Sequence, residues 1–274
     1  MTAIRGRTLP RPALKRTGST RRWALLGLLF GVLVAVVTWA PARWLASVVQ
    51  DVSQSRIRLE QPRGTVWNGT ALLALSGGSG SSDTVALPGF VNWRIRPSWG
   101  GLRMDLSASC CTPKPLQINA RAVGLSGLHI GMSDNQSNWP TSLLVGLGTP
   151  WNTLQLQGQL AVRSQGLTLD MTRTQLTLVG QIVVDAMQVS SRLSTLKPMG
   201  SYSVTVQGGS TPTVQLQTLD GSLELSGNGQ WVGSRLRFDG VATAQPDRIE
   251  AVSNLLNIIG RRNGAQSIIQ VGSL

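Results

Sequence analysis

The chain has 274 residues, 41% of them hydrophobic and 14% charged, with a formal net charge of +13, one histidine and two cysteines. That charge invites a nucleic-acid reading, yet seven basic residues fall within the first 22 positions, and beyond them 18 basic residues face 12 acidic ones. The remaining arginines are scattered singly through alternating segments and match no nucleic-acid fold signature, so no nucleic acid is expected as a partner.

Residues 1–22 form a basic arm with no acid. From Trp23 to Ala40 the chain reads WALLGLLFGVLVAVVTWA, eighteen residues without a charge. This predicts a single transmembrane helix, 23–40, and the excess of Arg and Lys before it keeps the N-terminus cytoplasmic. Eighteen helical residues reach roughly 27 Å against a hydrocarbon core of about 30 Å, with Arg21 and Arg22 snorkelling at one end and Trp39 and Trp44 marking the other. Ala40-Pro41-Ala42 also has the small-x-small form that a signal peptidase reads. The apolar run exceeds the about 7 to 15 residues of a signal core, and proline is a poor middle residue at such a site, which favours a retained anchor. Under either reading the residues after 42 are exported, and 41–274 is expected as a periplasmic β-rich domain at the bacterial cell inner membrane.

After a short helix from Pro41 to Gln50, apolar and polar residues alternate in runs bounded by Gly, Ser, Asn, Asp or Pro. Strands are expected at 101–108, 116–122, 154–162, 167–171, 180–186, 201–207, 214–218, 222–226, 235–241 and 267–271. Period two buries one face and wets the other, which belongs to antiparallel sheets, and the tight turn spacing leaves no room for crossover helices. Two further helices interrupt the pattern. One follows Asn138 with Pro140 at its first position; the other begins at a capping-box pair, Asp247 and Glu250, and ends at Gly260. GGSGSS at 77–82 is a flexible loop tip. G-x-L-x-L pieces recur roughly every 20 to 30 residues, as in a meander of hairpins built by repetition. The expected fold is mainly β: a single transmembrane helix, then a curved antiparallel sheet, half-barrel-like, with a few short helices. An outer-membrane barrel would need strands of about 9 to 11 residues with aromatic girdles, and the chain has one tyrosine.

Catalytic chemistry finds little to work with. His129 stands on an alternating stretch with no nearby Ser, Cys or acid at triad-like spacing, no Cys, His or carboxylate cluster suits a metal, and the G-x-G patterns lack a strand-turn-helix context. The acids are dispersed singly and offer no glycosidase pair. The chain reads as a non-enzyme with no catalytic residue, metal or cofactor. Cys110 and Cys111 are adjacent, and neighbouring residues on a strand point to opposite faces. Three states are open to them in an oxidising periplasm: a vicinal disulfide, a bond to another chain, or one buried and one exposed thiol. The prolines at 113 and 115 make this a turn and favour the vicinal bond. Six of the nine tryptophans lie beyond the membrane segment at strand edges or turns, as rings that close a sheet's core or as a partner surface.

Two blocks carry a family resemblance. Gly64-Thr65-Val66-Trp67-Asn68-Gly69, some twenty residues after the apolar run, and RFDGVATAQPDRIEAVSNLLNIIGRRNGAQSIIQVG, beginning at Arg237, resemble the type II secretion system protein N family, also called general secretion pathway protein N. The similarity in pattern runs from Pro41 to Gly272, and the G-x-x-W-x-G piece also resembles turns of AsmA-like envelope proteins. The resemblance implies an inner-membrane accessory or scaffold subunit of the machinery that moves folded proteins from the periplasm across the outer membrane. Its implied partners are other inner-membrane platform proteins, met through a sheet edge or the turn at Trp67, Asn68 and Gly69. It brings no catalytic residues. The AsmA-like likeness implies the alternative, a periplasmic lipid-binding or lipid-transfer protein with acyl chains on an apolar concave face. The chain departs from the family pattern in its long basic arm, its GGSGSS loop and its Cys110-Cys111 pair.

Overall fold

The computed structural model describes residues 20–78, 83–124, 127–172, 176–233 and 235–272; the basic arm up to residue 19 and positions 79–82 of the GGSGSS loop lie outside them. The chain divides into two units, Met1–Ala40 and Pro41–Leu274.

The first unit carries helix α1, Thr20–Thr38. Its charge-free part starts at Trp23, so sixteen residues, roughly 24 Å of rise, are both helical and uncharged. Among the described residues no helix is long and apolar enough to cross a membrane. The expected helix over 23–40 is therefore corrected at its end, where Trp39 is a turn and Ala40 is non-helical. The cause is Pro41, whose ring disfavours the α conformation in the residue before it. The Thr38 hydroxyl donates to the Val34 carbonyl at 2.9 Å in the last turn.

In the second unit α2 (Ala42–Val52) leads into β1 (Ile57–Gly64), β2 (Asn68–Ser76), β3 (Thr84–Ser98), β4 (Gly101–Ala108), β5 (Leu116–Val123), β6 (Gly127–Met132) and β7 (Asn135–Pro140). A 3-10 helix, Thr141–Leu147, and the short α3 (Trp151–Leu154) precede β8 (Gln157–Met171), β9 (Leu176–Ser190), β10 (Gly200–Gly209), β11 (Thr213–Gly221), β12 (Leu223–Val232) and β13 (Arg235–Ala244). Then α4 (Ile249–Ile259), β14 (Arg261–Asn263) and β15 (Gln266–Val271) complete the described chain. All fifteen strands belong to one antiparallel sheet, in chain order from β1 to β6 and from β8 to β13, ending β15 then β14, with β7 beside β6 along β8. First and last strands are not partners, so the sheet is open.

The sheet also curves. Leu73 on β2 and Ile182 on β9 line one inner cavity of about 210 Å³, although six strand steps separate them. At about 4.8 Å per step a flat sheet would hold them roughly 29 Å apart. Curvature is what the alternation demands: one face is Leu, Ile and Val, the other Gln, Asn, Arg and Asp, and only a concave apolar face hides from water without a second sheet. Cover comes from short elements. Val252, Leu255 and Leu256 of α4 pack on Tyr202, Leu223 and Ala242; Leu143 of the 3-10 helix packs with Leu87 and Val91; Ala42 of α2 packs with Ala71 and Trp93.

Several expectations are corrected. The strands expected at 154–162 and 167–171 are one fifteen-residue strand, β8, whose register slips between Gln165 and Thr168. Gly180 permits this slip: at φ +99 its missing Cβ would sit 2.4 Å from the Gly166 carbonyl oxygen. The segment after Asn138 is a strand that ends at Pro140, and the helix beyond it is 3-10, with Pro140 as an extended N-cap. The Asp247 and Glu250 capping box does not form: α4 starts after a 3-10 turn, Pro246–Arg248, and the Asp247 carboxylate pairs with Arg248 at 3.1 Å.

Leu256 is fully buried, whereas Leu176 is 64% exposed. Leu256→Ala is expected to cost about 2 to 5 kcal/mol in chemical denaturation and Leu176→Ala under about 1 kcal/mol. Tyr202, the single tyrosine, is buried with no partner for its hydroxyl, and burial pushes its pKa up. Tyr202→Phe is therefore expected to raise stability by about 1 kcal/mol, read as a higher denaturation midpoint.

Candidate functional site

The Gly64-to-Gly69 segment is a knuckle that joins β1 to β2, and its geometry follows from its two glycines. Gly64 turns the chain at φ +86, a conformation that side-chain-bearing residues rarely adopt. Thr65 and Asn68 then close on each other: the Thr65 amide donates to the Asn68 carbonyl at 2.9 Å, and the Asn68 amide donates to the Thr65 hydroxyl at 3.1 Å. Gly69 pairs with Trp93 across the β2–β3 ladder, and a Cβ there would come 2.4 Å from the Trp93 ring. Trp93 is 3% exposed, and its indole N–H donates to the Val66 carbonyl at 3.0 Å and to the Thr65 carbonyl at 3.3 Å. The ring thus lies under Gly69 and pins the loop from below. The Pro41 backbone bridges to Thr65, so the chain enters this unit at the knuckle.

Of the three interaction candidates, Gly69 is the seat of Trp93, Trp67 is half-buried with its carbonyl accepting from the Ile95 amide at 2.7 Å, and Asn68 is exposed. Asn68 also lines a shallow outer-face cavity of about 280 Å³ with Asn92, Arg94, Asp105, Ser107 and Gln117. One Asp105 carboxylate oxygen is buried there without a partner. Trp93, the residue that holds the motif together, escapes a reading of the sequence because only strand register brings it to Gly69.

The two cysteines are bonded to each other in the β4–β5 connection, with Cys110 exposed and Cys111 buried in the cluster around Leu87 and Leu143. Cys111 is further tied to β7, whose Asn138 amide donates to its carbonyl at 2.9 Å. His129 acquires a partner invisible in sequence: β6–β8 register places it opposite Asp170, and its Nδ1 meets the carboxylate at 2.5 Å. Both side chains are over a third exposed on the polar outer face, and among the described residues no further ion pair joins them. Among the described residues no group of three or more His, Cys, Asp or Glu is placed to hold a metal. The inner cavity is almost wholly apolar, lined by Leu73, Val91, Leu106, Met132, Trp139 and Ile182 among others. Its volume of about 210 Å³ is below the roughly 300 to 1,000 Å³ of typical ligand pockets.

The model of the family described as type II secretion system (T2SS), protein N, matches residues 55–269, about four fifths of the chain, so the chain belongs to that family. It is a type II secretion component associated with the cell envelope, in a family of secretion-machinery proteins not known as enzymes. No curated protein sequence and no solved structure matches it.

Gly69→Ala is expected to dislodge Trp93. Hydrogen exchange of the Thr65 and Asn68 amides should rise at least about tenfold and global stability should fall by more than 1 kcal/mol, on the order of an overpacked core. Unchanged exchange at both amides would contradict the pinned-loop geometry.

Proposed function

We propose that the chain is an inner-membrane-anchored accessory or scaffold subunit of the type II secretion machinery. It supports export of folded proteins from the periplasm across the outer membrane through contacts with other platform proteins. The observation that carries this reading is the family match, which spans nearly the whole β unit. In this reading α1 anchors the protein with its N-terminus in the cytoplasm and residues 41–274 in the periplasm. The charge-free helical stretch is a few ångströms short of an average hydrocarbon core. Arg22 snorkelling at one end, Trp39 at the interface and modest local thinning of the bilayer make up the difference.

An anchor holds the β unit within a thin layer at the membrane, which raises its effective concentration near other anchored subunits. Contacts too weak to form in free solution then become populated. The knuckle offers one such contact through exposed Asn68 and the polar cavity beside it. The alternative, a lipid carrier, draws on the apolar inner cavity, whose small volume suits at most a short stretch of acyl chain.

A periplasm-specific reporter fused after Gly69 is expected to be active, and alkaline carbonate is expected to leave the protein in the membrane fraction; release into the soluble fraction would reject the anchor. Photo-crosslinkers at Asn68 and on α4 are expected to capture type II secretion subunits in cells. Recovery of none from either position would reject docking, and co-purifying phospholipid seen by native mass spectrometry would favour the carrier.

A further inference from the structure

Turns of an antiparallel meander alternate between two ends, and the two ends of this sheet differ. The 3-10 helix, α3, α4 and the β9–β10 connection all follow strands that finish at the end away from the knuckle, and they cap the trough there. At the knuckle end, where Pro41 enters, the start of α2 covers Ala71 and Trp93, and among the described residues no helix follows β3, β5 or β8 where they finish at this end. At that end apolar side chains stand exposed side by side. Register links Leu102 with Ala120 on the next strand, Ala122 with Leu128, Leu128 with Met171, and Met171 with Leu176, which makes one row across five adjacent strands. Leu102, Leu128, Met171 and Leu176 are 38% to 64% exposed, and Trp99, at the β3–β4 turn of the same end, is 98% exposed. The capped end also exposes apolar residues, Val52 and Leu147 on its helices and Met187 and Leu219 on its strands, but no cross-strand register joins Met187 to Leu219 in a row.

Just behind the row, on the outer face, Arg96 and Arg103 are direct cross-strand partners, and Arg121 follows on β5. Like charges placed opposite each other repel. Arg103 is held only by the Asn119 side-chain oxygen at 3.0 Å, and none of the three has a carboxylate within ion-pair distance among the described residues. Exposed apolar tips backed by unpaired guanidinium groups fit one kind of surface, in which phosphate lies immediately above hydrocarbon.

We infer that the knuckle end of the sheet seats on the membrane: Trp99 and the Leu102-to-Leu176 row enter the interfacial layer, and Arg96, Arg103 and Arg121 take anionic phospholipid headgroups. The occupant is the leaflet that the chain leaves at Ala40, because Pro41 follows directly and is bridged to this same end. This rests on the anchor reading above. The strands then stand on the bilayer, with the capped end and its helices presented to the periplasm.

The test uses the full chain in nanodiscs of phosphatidylethanolamine and phosphatidylglycerol. Its two native cysteines are bonded to each other, so a nitroxide label takes only an introduced thiol. Labels at Leu29→Cys, Trp99→Cys and Leu176→Cys are expected to be more accessible to lipid-soluble oxygen than to a water-soluble nickel chelate, and one at Asp220→Cys, at the capped end, the reverse. A lipid signal at 29 with aqueous signals at 99 and 176 overturns the seating and leaves the anchor standing; an aqueous signal at 29 overturns the anchor itself. Shielding of 99 and 176 from both reagents would mean a protein cover and also overturns the inference. The Arg96→Gln, Arg103→Gln pair is expected to reduce the lipid-phase signal at 99 in anionic discs to the level seen in phosphatidylcholine discs. An unchanged signal would remove the arginines from the contact.

Discussion

Period-two alternation through most of the strands imposes one constraint from which the architecture follows: a single sheet carries most of its apolar side chains on one face, and among the described residues no second sheet covers it. A flat sheet of this kind would leave that face in water at about 25 cal/mol for each Å² exposed. Curvature brings β2 and β9 to a shared cavity, so opposite walls of the trough cover each other. Helices are then needed only where the trough opens. That explains why few residues of the second unit are helical and why α4 buries Val252, Leu255 and Leu256.

The same constraint accounts for the motif. An open sheet has a first strand that pairs on one side only, and β1 lies at that margin with Pro41 bridged to Thr65 just beyond its end. The knuckle ties three segments at this point: the Pro41 backbone to Thr65, Thr65 to Asn68, and the loop carbonyls to the Trp93 indole. G-x-x-W-x-G is therefore first a device for holding the margin of the sheet. Contact with partners falls to what remains outside the tie, the Asn68 side chain and the polar cavity beside it.

Local pattern carried much of this fold. The strand at 101–108 has the bounds that alternation predicts, and those at 201–207 and 235–241 lie inside β10 and β13. What escaped was long-range or irregular. β8 and β9 look like shorter pieces because a bulge inverts the phase of alternation midway, so a window of eight residues meets conflicting periods. β1 is hidden by Pro62 and by Gln61 at φ +50, and β7 (NQSNWP) by its polarity. The capping box failed because Pro246 starts a 3-10 turn that places Asp247 outside the first turn of α4. At the candidate site, the Gly69 seat and the His129–Asp170 pair depend on strand register, and the partner lies 24 and 41 residues away. No local spacing rule reaches that far.

An open sheet beside other envelope proteins has one more problem to solve, since unpaired strand edges recruit further strands. Both edges here are unfit for that. β1 has Pro62, which has no N–H to donate, a register slip between Glu60 and Arg63, and charges at Arg58, Glu60 and Arg63. β14 is three residues long and two of them are arginine. Strand addition needs several consecutive free donors and acceptors on a regular edge, and neither margin supplies them. Side chains on the faces, turns and helices are the surfaces these two margins leave for contact. Docking on side chains, unlike a shared sheet, leaves the fold of each subunit unchanged on release.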